Sequence, residues 1–370
     1  MKFLHNAALL ITIMTPDSTA FVTTISSNSI CNVASRSRSR SSSIADGMVL
    51  PRHRNKCGID GACRNYGKRR TTTSTTSSSS ATELNLTLLP ACGDAATSVS
   101  SSLSSVTSTI LSSNIGDVPL VYSVALNAVL FLALKSKLNT MLTPSGFWHA
   151  FGLGCGLWWT LGWKGWTVCV MYLFLGQAVT KLRFKEKAAA GIAEARGGRR
   201  GPENVWGSAA TGLICAFAAS NDNGQVLSAT GISSELFILG YVASLATKLS
   251  DTFASEIGKG YGKTTFLITN FKRVLPGTEG AISAEGTAGA LVGGTLLSAY
   301  ALWINVISTF PQLCVASVAA FVATNVESLI GATLQEKEGF DWLSNEVVNF
   351  INTLIGAFIA AIGGKLLLGM

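Results

Sequence analysis

From Val118 onward, the sequence is a series of long apolar stretches separated by short polar segments. A helix needs about 20 largely apolar residues to cross a bilayer. Eight stretches approach that length: 118–138, 146–163, 166–182, 204–220, 232–250, 284–304, 308–330 and 346–367. Only 13% of the residues are charged, about half the share in soluble proteins. The sequence therefore predicts an all-α polytopic membrane protein with about eight transmembrane helices.

The second and third stretches leave two interpretations open. The segment 162–166 is either a tight turn between two short helices or a polar spot within one long, kinked helix. With eight spans, fifteen Lys and Arg side chains fall on one side of the membrane, and only Lys164 and Lys365 on the other. Merging the two stretches would move Lys135 and Lys137 to the opposite side. The positive-inside rule thus favours eight spans, with the basic face in the cytosol-equivalent compartment.

The first third of the chain is typical of a targeting sequence. Residues 1–23 resemble a signal peptide, and residues 24–82 are rich in Ser, Thr and Arg, as transit peptides are. An RS-type segment or a solvated tail is the alternative for this stretch. Residues 83–117 are predicted to be a linker without a fold of its own, and residues 118–370 the transmembrane catalytic domain. The expected location is a plastid (chloroplast) membrane, which the chain would cross several times with its basic loops in the stroma.

Composition also excludes several classes of function. Residues 1–117 carry eleven Lys and Arg against six Asp and Glu, so much of the net charge of +8 lies in the presequence. A nucleic-acid partner is therefore not expected. The eight cysteines form no C-x-x-C pair and there are only three histidines, so neither a zinc site nor a disulfide framework is predicted.

Charged residues follow the fifth span, where a membrane protein usually has few. Asp251 and Ser255 are four residues apart and share a helix face, with Glu256 beside them. These side chains are either a metal-binding or acid–base pair, or a solvated helix end. Lys248, one turn earlier, offers Asp251 a simple ion-pair partner.

The next polar block leads directly into the sixth span. Glycine allows the backbone to approach an anion closely, and a helix N-terminus attracts negative charge. An interfacial turn at Pro276-Gly277 is the alternative reading. The candidate phosphate-binding residues of this block are Lys272, Arg273, Gly277, Thr278, Gly280, Ser283, Gly286 and Thr287, with Glu285 as a candidate catalytic carboxylate.

Three further groups lie on the same predicted face. Glu327 follows a long apolar run, where a carboxylate is usually turned inward and paired. Asn345 and Asn349 share one stripe of the last span and either orient a substrate or hold helices together. Lys181 and Arg200 flank the loop between spans three and four, where they bind an anion or only set topology. The segment Gly258–Thr264 is similar to a P-loop motif, but three residues instead of four separate its outer glycines, and no strand is predicted before it.

The ordered motifs Lys248–Thr265, Gly277–Thr287 and Glu327–Phe340 resemble those of the transmembrane-protein-19-like family. The similarity is greatest to its plastid branch, the phytyl phosphate kinases of tocopherol (vitamin E) synthesis. It covers roughly residues 120–368 and includes Arg199–Pro202. The resemblance implies a kinase that converts phytyl monophosphate to phytyl diphosphate, for tocopherol and phylloquinone, with a nucleoside triphosphate, expected to be CTP, as donor.

For such a reaction, we expect Mg²⁺ to be held by Asp251, Glu256 and Glu285, with Glu327 as a further catalytic carboxylate and a candidate fourth ligand. Lys272, Arg273 and the Gly277–Gly280 backbone would bind phosphates, and Arg200 and Lys181 the lipid monophosphate, whose tail would lie between helices in the bilayer. Association with a prenol kinase or with prenyltransferases of the same pathway is also expected. Two alternatives remain, a kinase of free phytol or another prenol and an isoprenoid-phosphate transporter.

Overall fold

A computed structural model describes residues 101–102, 104–109, 118–220, 231–335 and 337–370. The chain divides into two compact units, Met1–Thr87 and Leu88–Met370, and all described residues belong to the second. The predicted signal-peptide and transit-peptide segments lie outside the described residues. In the predicted linker, residues 104–109 form a helix. Its hydroxyl groups donate to carbonyls three or four residues earlier, for example from Ser108 Oγ to the Ser105 carbonyl at 2.8 Å.

The described part of residues 118–370 is almost entirely helical. Its α-helices are α1 (Leu120–Ala133), α2 (Lys135–Leu138), α3 (Pro144–Thr180), α4 (Phe184–Ala189), α5 (Pro202–Ser220), α6 (Ser234–Tyr261), α7 (Ala284–Trp303), α8 (Phe310–Thr333) and α9 (Asn345–Leu368). A short antiparallel pair, β1 (Phe266–Leu267) and β2 (Ala281–Ile282), lies between α6 and α7. A 3₁₀ turn covers Ala195–Gly198.

Helix α3 is a hairpin rather than one long rod. Gly162 has φ 63° and ψ −163°, which no helix accommodates, so the chain reverses there. Gly146 in the first turn lies against the Arg200 carbonyl, and Gly176 near the end lies against the Arg200 guanidinium. In a straight helix these glycines would be about 45 Å apart. The structure therefore gives the tight turn between two short helices, and each half of α3 corresponds to one predicted span.

Counting the halves of α3 separately, eight helical segments of 14 or more residues in the described part of residues 118–370 match the eight predicted stretches in order. By length and composition, α8 and α9 are the two described helices that could cross a membrane, and α1 is a shorter apolar helix. Many large apolar side chains face outward, among them Ile214, Leu291, Val318 and Phe358. Small polar side chains such as Ser244 and Thr353 are instead fully buried. This distribution suits a protein whose surroundings are lipid.

Helix α6 lies at the centre and packs against α3, α5, α7, α8 and α9. Its contact with α7 is made backbone to backbone. A Cβ atom added at Gly289 or Gly293 would come within 3.0 Å of carbonyl oxygens of α6. Small residues at such spacing let two membrane helices approach closely. Helix α6 also extends to Tyr261, well beyond the predicted end of its span at residue 250. This extension carries the acidic motif.

Candidate functional site

A polar cavity of about 410 Å³ lies where α5, α6, α7, α8 and α9 meet the loops 193–200 and 276–283. Twelve of the residues predicted from sequence line this cavity. They are Arg200, Asp251, Glu256, Gly277, Thr278, Gly280, Ser283, Gly286, Thr287, Glu327, Asn345 and Asn349. Motifs that are far apart in the chain thus converge on one site, because α6 and α7 hold their ends beside those of α8 and α9.

The acidic part of the cavity is built by α6 and α8. Lys248 is buried, and its Nζ donates to Asp251 Oδ2 at 2.5 Å and to Asn349 Oδ1 at 2.6 Å. The Glu327 carboxylate lies within hydrogen-bonding reach of Asp251. Two carboxylates so close repel each other unless they share a proton or a cation. Lys248 donates to the Asp251 member of this pair, and both Asp251 and Glu327 line the cavity.

Asn349 therefore serves the helix-joining role that was one of its two predicted readings. It connects α9 to Lys248 of α6, and it also lines the cavity. Asn345 lies one turn earlier, is exposed, and forms part of the cavity wall. The amide stripe thus has one member in the buried network and one at the rim.

Glu256, predicted as a metal ligand, has a different partner in the structure. It forms a buried ion pair with Lys187 of α4, whose Nζ also donates to the Thr180 carbonyl at 3.0 Å. Arg183, just before α4, donates to the Gly260 carbonyl near the end of α6. These contacts fasten the segment after α3 to the extension of α6. The Glu256 carboxylate is therefore engaged in holding the cavity wall together.

Glu285, Lys181, Lys272 and Arg273 do not line the cavity. A Glu285 carboxylate oxygen lies 3.4 Å from the Lys263 backbone N–H, which donates to it. Lys181 donates to the Gly197 carbonyl at 2.8 Å. Lys272 and Arg273 are exposed on the loop between β1 and β2.

The carboxylates predicted to hold Mg²⁺ thus do not converge. In the part of the chain that the structure describes, no three His, Cys, Asp or Glu side chains are grouped closely enough to hold a metal ion. Magnesium in phosphotransfer sites is usually bound by one or two carboxylates together with substrate phosphates. The neighbouring carboxylates of Asp251 and Glu327 fit that donor set better than the triad of Asp251, Glu256 and Glu285.

The glycine loop before α7 forms one side of the cavity. Gly277 and Gly280 have φ 91° and 72°, a left-handed conformation that glycine adopts without strain. Gly280 also lies against the Ser328 carbonyl of α8, where a side chain would not fit. Ser283 then caps α7 by accepting from the Gly286 N–H at 3.1 Å. The loop and the N-terminus of α7 are thereby fixed on the side of the cavity that also contains Glu327. The helix N-terminus favours the binding of a phosphate.

Arginines form another part of the cavity wall. The Arg200 backbone is held in place by Arg200 N donating to the Met141 carbonyl and Thr143 N donating to the Arg200 carbonyl, both at 2.9 Å. Its guanidinium stacks over the Tyr172 ring at 4.9 Å and donates to the Tyr172 hydroxyl. Tyr172 in turn lies near Lys248. Arg200 is therefore a fixed cation connected to the acidic network.

Arg196 belongs to the same wall but is held by an ion pair with Glu203. It also donates to Asn204 Oδ1 at 2.9 Å. Glu203 lies just before the predicted fourth span. A hydrogen bond from the Glu203 backbone and, second, the ion pair with Arg196 hold the pKa of the Glu203 carboxyl below its ordinary value. Arg199 and Lys259 also line the cavity. The wall is basic enough to receive a polyanion.

Residues 127–357 of the chain match the family described as integral membrane protein DUF92. The chain belongs to this family. It is an integral membrane protein, and the match covers every cavity-lining residue named above.

Curated relatives support the same assignment. The uncharacterized membrane protein sll0875 of Synechocystis is 50% identical over 65% of this chain and 90% of its own length. Protein VTE6, chloroplastic, of Arabidopsis thaliana is 44% identical over 64% of this chain and 70% of its own. The uncharacterized membrane protein MJ0933 of Methanocaldococcus jannaschii is 31% identical over 65% and 92%. No solved structure matches the chain significantly. The resemblance drawn from the motifs, to this family and its plastid branch, is confirmed.

Sequence reasoning missed several residues, among them Arg196 and Lys259 of the cavity lining, and Lys187 and Tyr172, which contact lining residues from outside the cavity. Lys187 lies in a run of alternating charges that is typical of an exposed loop, and nothing local pairs it with a residue 69 positions away. Tyr172 lies within an apolar span, where an aromatic residue is usually packing. A buried lysine in a short, highly charged helix is the kind of feature that only tertiary structure reveals.

Proposed function

We propose that this protein is a membrane isoprenoid-phosphate kinase that transfers a phosphoryl group from a nucleoside triphosphate, CTP by the family resemblance, to phytyl monophosphate. The observation that carries the proposal is a single cavity in which the Asp251–Glu327 pair faces a glycine loop and an arginine wall. The likeness to VTE6 supports a kinase of this pathway and a plastid membrane. The product, phytyl diphosphate, would serve tocopherol and phylloquinone synthesis.

Phosphoryl transfer depends mainly on positioning and on neutralising charge. Mg²⁺ held by Asp251 and Glu327 would neutralise the phosphates of the nucleotide. Lys248, which also donates to Asn349, holds Asp251 by a hydrogen bond, so the Asp251 carboxylate would be presented to the cavity without reorganisation. The Gly277–Gly280 backbone and the N-terminus of α7 would receive the donor phosphates, and Arg200 the acceptor phosphate. No general base is needed, because the acceptor oxygen is already ionised.

The topology in the membrane is part of the proposal. Both ends of the α3 hairpin lie at Arg200, whereas Lys164 lies beside the turn at its other end. This arrangement supports eight membrane crossings, with Lys164 and the cavity on opposite faces. The cavity and the basic loops would then face the stroma. A cavity at one face suits an enzyme better than a transporter, which needs polar groups near mid-membrane.

The test uses purified full-length protein in detergent with Mg²⁺ and CTP labelled in the γ-phosphate. Phytyl monophosphate, free phytol and a no-lipid control are compared, and the labelled lipid product is separated by chromatography. The proposal predicts labelled phytyl diphosphate from the monophosphate alone. Labelled monophosphate from phytol alone would instead identify an alcohol kinase. Folded protein that transfers label from no nucleotide, but moves the lipid phosphate across proteoliposomes, would identify a transporter.

A further inference from the structure

A second cavity, of about 90 Å³, lies between α1, α3 and α5. Its lining is almost wholly apolar. It includes Leu130 and Phe131 of α1, Leu153 and Leu157 of the first half of α3, Leu173 of the second half, and Ala209 of α5. This apolar groove is separate in chemistry from the polar cavity, which contains the charged residues.

The two cavities nevertheless share part of their walls. Arg200, Asn204 and Ser208 line both of them. Tyr172, whose ring carries the Arg200 guanidinium, also lines the apolar groove. One fixed cation therefore lies at the junction between a polyanion-binding cavity and an apolar groove. A molecule with an anionic head and an apolar chain is complementary to both.

A buried polar contact lies beside the groove, at Trp166. Trp166 Nε1 donates to Asn127 Oδ1 at 2.9 Å, and Gly154 packs against both side chains. Trp166 and Tyr172, which both line the groove, are six positions apart, which corresponds to about 9 Å along a helix. The groove thus accommodates only the part of a long chain nearest its head, and the rest would pass between helices into lipid.

We propose that the apolar groove binds the first isoprene units of the acceptor, with the acceptor phosphate at Arg200. The identity of the head as a monophosphate rests on the proposed function. The charge of Arg200 at the mouth argues for an anionic single-chain isoprenoid rather than for a neutral lipid. Because the groove is short, affinity should rise from dimethylallyl to geranyl monophosphate and change little from farnesyl to phytyl monophosphate.

The first arm of the test needs no turnover. Geranyl monophosphate carrying a diazirine at the end of its chain is photolysed with the wild-type protein in the absence of nucleotide, and the labelled residues are found by mass spectrometry. We expect label on groove residues of α3 and α5, displaced by phytyl monophosphate. Label elsewhere, or equal displacement by phosphatidic acid, would overturn the proposal.

The second arm narrows the groove. Ala209→Leu should raise the KM for phytyl monophosphate by about tenfold, the loss expected when roughly two methylene groups lose their burial, and leave the KM for CTP unchanged. Ala216→Leu is the matched control, because Ala216 is buried on the same helix but does not line the groove. It should change neither constant. Equal effects of the two variants would contradict the assignment.

The two arms separate this inference from the proposed function. Groove labelling without any transfer of phosphate would refute the kinase and keep an isoprenyl-phosphate site. Normal transfer, with label outside the groove and no effect of Ala209→Leu, would keep the kinase and refute the groove.

Discussion

The buried ion pair between Lys187 and Glu256 should contribute strongly to the free energy of unfolding, in a way that single and double substitutions can separate. The side chains are 1% and 4% exposed, and Lys187 has one further acceptor, the Thr180 carbonyl. Removing one partner leaves the other charge buried and uncompensated, which costs about 3–5 kcal/mol. Replacing both with apolar residues of similar size is often close to neutral. Glu256→Leu should therefore lose several times more stability than the double variant Lys187→Met/Glu256→Leu.

The measurement is a double-mutant cycle on unfolding in a mild detergent. Wild type, both single variants and the double variant are compared in denaturant, and the coupling energy is taken from the four unfolding free energies. Additive single effects, or a Glu256→Leu variant as stable as wild type, would refute the pairing.

Turnover of the same four proteins decides what Glu256 does. If its carboxylate only fastens α4 to α6, the double variant regains phosphoryl transfer together with stability. If it binds metal, as its sequence context first indicated, the double variant stays inactive although it is folded. The structure favours recovery.

Three further predictions concern packing and substrate binding. Gly293→Ala would place a Cβ 2.9 Å from the Leu249 carbonyl, so thermal unfolding in detergent should show a loss of about 1–3 kcal/mol, whereas Leu291→Ala on the outward face should have little effect. Trp166→Phe leaves the buried Asn127 amide without its donor and should cost about 1–3 kcal/mol; recovery in Trp166→Phe/Asn127→Leu would support this account, and equal loss in both would contradict it. Arg200→Gln should raise the KM for the lipid monophosphate but not for CTP, with Arg200→Lys in between because lysine lacks the planar fork; an equal rise in both constants would count against this role.

The helices follow from the sequence because a bilayer restricts the choice of structure. When lipid surrounds an apolar stretch of sufficient length, the stretch forms a helix, because its backbone polar groups must be paired within the segment. Their order, and the hairpin at Gly162, followed from stretch lengths and from the side on which Lys135 and Lys137 must lie. The extension of α6 to Tyr261 did not follow, because hydropathy marks where a helix leaves the membrane and not where it ends.

The site was predictable in outline for a related reason. Ends of membrane helices on one face are brought together by packing, so polar motifs at those ends converge. Which carboxylates meet depends on helix rotation and on loops. The Asp251–Glu327 pair joins α6 to α8, and the Lys187–Glu256 pair joins the short helix α4 to α6. Neither distance is encoded in local spacing, so the sequence could not say which of Glu256, Glu285 and Glu327 lies beside Asp251.

The most direct test of the central claim is the turnover of single-carboxylate variants with phytyl monophosphate and CTP. Asp251→Asn and Glu327→Gln should each reduce transfer on the order of a hundredfold, the loss typical of one electrostatic contact to a developing charge. Glu235→Gln, an exposed carboxylate in the first turn of α6, is the control and should retain wild-type turnover. If Asp251→Asn and Glu327→Gln remain within about threefold of wild type, the cavity described here is not where phosphate is transferred.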